Sequence, residues 1–290
     1  MKLVRYGEAG QERPGIWLDG EEPRIVDVRG MAFDITDYDA RFWATGGVAR
    51  LRGLLDDPGL KTVPAAGVRL GVPVARPRMV VCLGKNFAEH AAEFDGQRAE
   101  CPVYFAKATG ALAGPGDAIR VPAGAEMDGE VELALVVGRR AWRVKAAEAM
   151  GFVAGWMVFN DVTRRDEQRR RGQWFFAKGG DGCGPCGPWL TTADEAGDVY
   201  AKTMRQRVNG RVLQEARAGE MIFRAAEVLE DLTAWMTLEA GDVVSLGTPG
   251  GIGSARMPPV LLKAGDVVEC EIEGLGTLRN PVAEEEEGAP

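Results

Sequence analysis

From Asp128 to Leu133 acidic and apolar residues alternate, and the pattern then gives way to an unbroken apolar run, Leu133-Ala134-Leu135-Val136-Val137. Period-two alternation predicts a β-strand. On such a strand Glu130 and Glu132 project from one face, their Cα atoms roughly 6.5 to 7 Å apart, while Val131 and Leu133 enter the other. Short apolar runs bounded by Gly and Pro predict further strands at Met79–Leu83, Val103–Phe105, Trp156–Phe159, Leu190–Thr192, Met204–Val208, Val243–Leu246 and Val267–Ile272. Upstream, Leu3–Tyr6, Ile16–Leu18 and Arg24–Val28 read as strands and Val48–Leu55 as a helix. The prolines of Val72–Pro77 stiffen an extended linker. The expected organisation is a small N-terminal α/β domain over 1–72, a larger domain over 73–283, and an acidic, disordered tail over 284–290. There is no regular βαβ spacing and no internal repeat, so the predicted class is α+β, mainly β.

Composition narrows the partners. The 290 residues are 46% hydrophobic, enough for a sizeable core. A net charge of -8 with a pI near 5.0 argues against nucleic acid, which needs a dominant basic surface. No run of about 18 apolar residues and no signal-peptide core is present, so no membrane association and a cytoplasmic location are expected. Five cysteines, sparse and odd in number, agree with a reducing compartment.

Three stretches carry candidate chemistry. Glu130 and Glu132 on one strand face repel each other. Burial of the pair would require compensation, for which a hard divalent cation is the usual device, whereas the plainer reading is a solvated face. His90 is the only histidine, and Glu93 lies three residues on, so a helix over Phe87–Phe94 makes them neighbours. The carboxylate would orient the imidazole and raise its basicity, as a base acting on water requires, against a plainer reading as a surface pair. Asp161 ends the apolar run Val158-Phe159-Asn160, either as a third acid or as a helix N-cap. Arg165, just beyond, could meet a substrate carboxylate in bidentate fashion.

Two glycine-rich segments complete the set. Cys183-Gly-Pro-Cys186 spells a redox motif, but Gly187-Pro188 forbids the helix that such chemistry needs. Gly182-x-Gly184-x-x-Gly187 matches a dinucleotide fingerprint without the strand and helix that give it meaning. What remains is expected to be a glycine-rich loop that brings backbone close to a ligand, with Lys178 and Asp181 at its start. Gly247-Thr248-Pro249-Gly250-Gly251-Ile252-Gly253 lacks the lysine of a P-loop. Thr248 and the neighbouring N–H groups are instead expected to hold a carboxylate or a developing oxyanion.

Taken together, these stretches resemble the fumarylacetoacetate hydrolase family over about residues 73 to 282. The likeness rests on Gly84-x-Asn86-Phe87-x-x-His90-x-x-Glu93, Phe105-x-Lys107, Asp128-x-Glu130-x-Glu132-Leu133 and Asn160-Asp161-Val162-x-x-Arg165-Asp166-x-Gln168, in that order. It continues through Gln173-Trp174 to Lys178, Gly187-Pro188-Trp189, Met221-Ile222-Phe223, Gly247-Thr248-Pro249-x-Gly251-Ile252-Gly253 and Gly274-Leu275-Gly276-x-Leu278-Arg279-Asn280. The resemblance implies a mixed β-sheet roll with flanking helices, usually dimeric, behind a small N-terminal domain. It implies that Glu130, Glu132 and Asp161 ligate Mg2+ (or Mn2+), that His90 and Glu93 activate water, and that Lys178 stabilises developing negative charge. Lys107, Arg165, Gln168 and Thr248 become candidate substrate contacts.

The implied function is hydrolysis of a C–C bond in an acylpyruvate or 2,4-dioxo acid, with a dioxo-3-deoxy sugar acid as a further candidate and a homodimer as the working form. Decarboxylase, isomerase or lyase activity on a related 2-oxo acid stays open, as does a non-catalytic binding role. The chain departs from the family at Gly179-Gly180-Asp181-Gly182-Cys183, where relatives often have Ser-Phe-Asp-Thr-Phe. This substitution is expected to thin one wall of the pocket.

Overall fold

The computed structural model describes residues 1–93 and 99–285. Two positions named above, Phe94 and the tail beyond Glu285, therefore lie outside the described residues. The backbone of the fold is a long mixed sheet. Its strands run in the order Thr62–Pro64, Arg24–Asp27, Arg13–Leu18, Lys2–Tyr6, Gly184–Thr192, Val153–Asn160, Val131–Val137, Val243–Ser245, Val80–Gly84 and Val103–Lys107. A second sheet orders Arg211–Arg217, Thr203–Val208, Val267–Ile272, Gly276–Glu284 and Ile119–Val121. A short pair, Met127–Asp128 with Thr163–Arg164, bridges the approach to the site. The class is α+β and mainly sheet, as the sequence pattern predicts.

Val131–Val137 is buried along its whole length because it is central, paired with Val153–Asn160 on one side and Val243–Ser245 on the other. Its side chains alternate between two cores. Val131, Leu133, Leu135 and Val137 join one apolar cluster, whereas Ala134 and Val136 join another that also holds Met157, Phe159 and Leu190. The second cluster includes Leu3, Ile16, Val26, Tyr38 and Phe42 from the first 72 residues. The N-terminal segment thus continues the large sheet, with Leu3 opposite Leu190 and the Met1 ammonium donating to Thr192 Oγ1 at 2.7 Å. Among the described residues no helix is long and apolar enough to cross a membrane.

One stretch differs from its sequence reading. The glycine-rich segment expected to be a loop is, from Gly184 onward, a strand spanning Gly184–Thr192. Gly187 pairs with Val158 and Cys186 with Phe159, and the register shifts between Trp156 and Val158 to accommodate the prolines. Gly and Pro lower intrinsic strand propensity, but a place between Lys2–Tyr6 and the longer Val153–Asn160 supplies the ladder that propensity withholds. Cys186 is buried in that ladder, and burial together with the Asp117 charge pushes its thiol up to about 12. Cys183 is buried and raised as well, chiefly by desolvation. Neither thiol has the lowered pKa of a redox cysteine.

Candidate active site

Asp161 follows directly on Val153–Asn160, and the next helix begins only at Arg165, so Asp161 caps no helix. Its N–H donates to the Glu130 carbonyl at 2.9 Å while Val131 pairs with Asn160. The antiparallel register therefore sets Asp161 beside Glu130, though the two are far apart in sequence. Glu130, Glu132 and Asp161 each offer an oxygen lying within 4.8 Å of the others, and all three side chains are buried. The solvated-face reading of Glu130 and Glu132 does not hold in the fold.

Cations and backbone donors surround this triad. Lys178 Nζ donates to Glu130 Oε2 at 2.7 Å, Asp161 Oδ2 at 2.6 Å and Thr163 Oγ1 at 2.8 Å. Arg165 Nη2 donates to Glu130 Oε1 at 2.7 Å and Asp128 Oδ2 at 2.9 Å, and its Nη1 to Gln168 Oε1 at 3.0 Å. The guanidinium expected to meet substrate is therefore engaged by the protein's own carboxylates, behind Glu130. Lys107, also expected at the substrate, is wholly buried and donates to the carbonyls of Cys183 (2.7 Å) and Lys178. Its Nζ stands 2.8 Å from Asp161 Oδ1 but without hydrogen-bond alignment, and that oxygen has no hydrogen-bond partner.

Four buried carboxylates, Asp128, Glu130, Glu132 and Asp161, thus face three buried cations, Lys107, Arg165 and Lys178. The imbalance shows in the titration of the acids. Burial alone would raise Glu130, but the Lys178 and Arg165 charges outweigh it and hold the carboxyl well below its ordinary range. Among the described residues no cation is paired with Glu132. Its Oε2 accepts from Ser245 Oγ at 2.5 Å and Gly247 N at 3.2 Å, and burial with the Asp161 and Glu130 charges pushes it well up. Lys178 moves up too, since the Asp161 and Glu130 carboxylates overcome its desolvation. A surplus negative charge and an acid pushed up are what a divalent cation would relieve, and three carboxylates within reach of one another are hard oxygen donors, so the donor set fits one.

The dyad forms one edge of the same cleft. His90 Nδ1 lies 2.9 Å from Glu93 Oε2, with His90 on the helix Ala88–Ala92 and Glu93 at its C-cap. With the shared proton on Nδ1, Nε2 carries the lone pair. Glu93 Oε1 in turn accepts from Gly251 N at 2.6 Å. That contact revises the reading of the Gly247–Gly253 loop, because its N–H groups already serve the protein's own acids. Gly247 donates to Glu132, Gly251 to Glu93, and Gly253 and Ser254 to the two oxygens of Asp128 at 3.0 and 2.9 Å. Gly253 has no room for a side chain, since a Cβ there would stand 2.1 Å from the Val260 carbonyl. Thr248 donates to Val131 O at 2.9 Å and accepts from Gln214 Nε2 at 2.8 Å.

The acids, the dyad and an apolar side meet in one cleft. Glu130, Glu132, His90, Lys178, Gln168 and Thr248 line its polar part, and Leu83, Gly84, Phe105 and Trp174 its apolar part, with Lys85 beside them. Asp128 and Trp174 stand in the family motifs without an assigned role, and the sequence does not mark Gln214 or Ser245 at all. Asp128 also belongs to the same alternation as Glu130. Gln214 is a lone amide in a strand with nothing local to mark it.

Residues 79–283 match the fumarylacetoacetate (FAA) hydrolase C-terminal family. The chain belongs to the fumarylacetoacetate hydrolase family. A Burkholderia multivorans protein, named only provisionally as a hydrolase, is 40% identical over 95% of this chain and 96% of its own. A fumarylacetoacetate hydrolase from Exiguobacterium antarcticum is 34% identical, covers 98% of this chain and 100% of its own, and superposes with a TM-score of 0.82. A 2-hydroxyhepta-2,4-diene-1,7-dioate isomerase from Mycobacterium marinum (32% identity, TM-score 0.78) covers all of both chains. A Sphingobium maleylpyruvate hydrolase solved with manganese(II) and pyruvate (27% identity, TM-score 0.80) covers 99% of this chain and 100% of its own. Fumarylacetoacetate hydrolase family structures thus include both hydrolases and isomerases.

The family departure at Gly179–Cys183 falls elsewhere than expected. Gly179, Gly180, Asp181 and Cys183 border a separate cleft, with Phe175, Phe176 and Arg164, rather than the one lined by the acids. The reason is that Lys178 points toward the acids while the chain after it turns away to enter the Gly184–Thr192 strand.

Proposed function

We propose that this protein is a divalent-metal-dependent hydrolase, using Mg2+ or Mn2+, that cleaves a C–C bond of an acylpyruvate or related 2,4-dioxo acid. The observation that carries the reading is the meeting, in one cleft, of three buried carboxylates with a His–Glu dyad and a buried lysine. An ion held by Glu130, Glu132 and Asp161 would supply Lewis-acid stabilisation of charge that develops on the 2-oxo acid.

The chain's own groups do the rest. Glu93 fixes the imidazole through Nδ1, and His90 Nε2 takes a proton from water. The water oxygen attacks the distal carbonyl carbon and the bond to the methylene carbon breaks. The electron pair passes to that carbon, which is protonated to the methyl group of pyruvate. The balance is one dioxo acid and one water giving one carboxylic acid and pyruvate. The Lys178 ammonium, held by two carboxylates in a dry site, offsets the negative charge that appears. Gln168 and Thr248, on the cleft surface, are the proposed substrate contacts. Lys107 and Arg165 are positioning residues that hold Asp161 and Glu130.

The isomerase relative motivates a second reading, in which the same 2-oxo acid enolises without attack by water. One experiment separates them. Purified protein with Mg2+ or Mn2+ is given a panel of acylpyruvates, following loss of enol absorbance and release of pyruvate. The hydrolase reading expects pyruvate and acid in equal amounts and a fall of about 10² to 10⁴ in hydrolysis for His90→Ala. Substrate loss without pyruvate favours the isomerase, and no turnover of any member overturns both.

A further inference from the structure

The apolar side of the catalytic cleft is built around one indole. Trp174 stands at the start of the helix Phe175–Lys178, and its carbonyl accepts from Lys178 N at 3.0 Å, so wall and ammonium share one turn. Its ring meets Phe105 edge-on, with centroids 5.4 Å apart at 73°, and the Lys178 ammonium lies 5.1 Å from the Phe105 centroid. On its other side the indole presses on Gly84. A Cβ at that glycine would stand 2.4 Å from Trp174 Cζ3 and 2.9 Å from Cη2, closer than real side chains approach. The glycine is thus required by the tryptophan. Phe105 and Gly84, on paired strands, trap the ring where it faces the cleft.

We propose that Trp174 determines specificity, closing the cleft behind the reacting carbonyl so that only substrates with a compact acyl group fit. The inference rests on the hydrolase reading for the head of the substrate, which the acids and Lys178 would hold. It adds what the tail must be: short, uncharged and without branching or a ring against the indole. Trp174 and Phe105 line the cleft together with Glu130, Glu132, His90 and Lys178, so head and tail must share the space between the indole and the acids. The indole is packed on Phe105 and Gly84, and against such a wall one methylene of misfit costs about 10- to 200-fold in kcat/KM.

Two substitutions test the wall from opposite directions. Trp174→Ala removes it, and Gly84→Ala pushes the indole into the cleft. The readout is the ratio of kcat/KM for acetylpyruvate to that for benzoylpyruvate. The wild type should favour the acetyl compound. Trp174→Ala should lower the ratio about tenfold or more by raising activity on the benzoyl compound. Gly84→Ala should raise KM for both, more for the benzoyl compound, so that the ratio increases. A purely structural role would lower kcat for both substrates and leave the ratio alone, which overturns the proposal, as does a shift of both variants in one direction. If Trp174→Ala does not fold, Trp174→Phe keeps an apolar ring of smaller size and should move the ratio the same way. If the wild type turns over neither compound, the hydrolase reading fails separately. The wall is then tested by calorimetric binding of the same two compounds to the Mn2+-loaded proteins, where Kd ratios should follow the same opposite signs and unchanged ratios overturn it.

Discussion

Two ionic clusters in this molecule are built from the same ingredients and demand different things. In the catalytic cleft Asp128, Glu130, Glu132 and Asp161 oppose Lys107, Arg165 and Lys178, every one of them buried. Beneath the N-terminal strands Glu12, Asp37 and Asp117 oppose Arg5 and Arg69, with side chains 10 to 31% exposed. Each cluster has one more acid than base. At the N-terminal cluster the surplus reaches water, and no compensation is needed. In the cleft it cannot, and the penalty appears as a raised Glu132. Burial, rather than the roll of charged residues, is what turns the first cluster into a site for a cation.

The comparison breaks most visibly at Asp128. Its two oxygens accept five hydrogen bonds, from Gly129, Gly253, Ser254 and twice from Arg165. Asp128→Ala leaves Arg165 Nε without its acceptor, removes one of the two carboxylates that Nη2 meets, and releases the Gly253–Ser254 end of the loop that holds Glu93. A loss of about 3 to 5 kcal/mol in urea unfolding is expected, the range for removing one partner of a buried ion pair. A loss under about 1 kcal/mol would mean that water reaches this cluster too.

A smaller effect should follow from filling the site. If the surplus charge is a cation's place, Mg2+ or Mn2+ at about a hundred times its Kd stabilises the fold by about 2.7 kcal/mol. Thermal unfolding of the chelated and reloaded protein measures this directly. Glu132→Gln should abolish most of the gain. A metal-induced shift that survives Glu132→Gln would place the ion elsewhere.

The sequence made part of this comparison legible and hid the rest for a physical reason. Alternation and spacing are local, so the strand carrying Glu130 and Glu132 and the His90–Glu93 pair could be read directly, and so could the mainly-β class. The strand Gly184–Thr192 was hidden because its Gly and Pro residues speak against a strand that only its neighbours make possible. The engagement of Arg165 and Lys107 by the protein's own groups was hidden for a similar reason. Both were read as substrate contacts because a lone Arg or Lys near a motif advertises charge, not partner. Asp128 and Gly253, or Gln214 and Val131, meet across more than 80 residues of chain, through pairings that no local pattern encodes. The same holds for Trp174 on Gly84, where a small residue's purpose is visible only once its neighbour is in place.

The smallest effect belongs to the outer cluster, and it carries a sign. Glu12 Oε1 accepts from Arg69 Nη1 at 2.9 Å, and Arg69 reaches on to Asp117 at 2.7 Å, tying the N-terminal strands to the larger unit. Burial works against the ionised carboxylate, but the Arg69 bond, backbone donors and the Arg5 charge together hold Glu12 below its ordinary 4.5. A carboxyl depressed in the folded state contributes stability above its unfolded pKa, and that contribution is lost as pH falls through the folded value. Glu12→Gln should therefore lower stability at neutral pH by at most about 1 kcal/mol and flatten the acid limb, with the two proteins converging below about pH 3. Urea midpoints taken from about pH 3 to 7 would show it, and turnover at pH 7 should be unchanged because Glu12 lies outside the cleft. Parallel acid limbs would mean that Arg69 and Arg5 do not depress this carboxyl. A loss of several kcal/mol would mean that this cluster is as dry as the catalytic one and that burial is not what separates them.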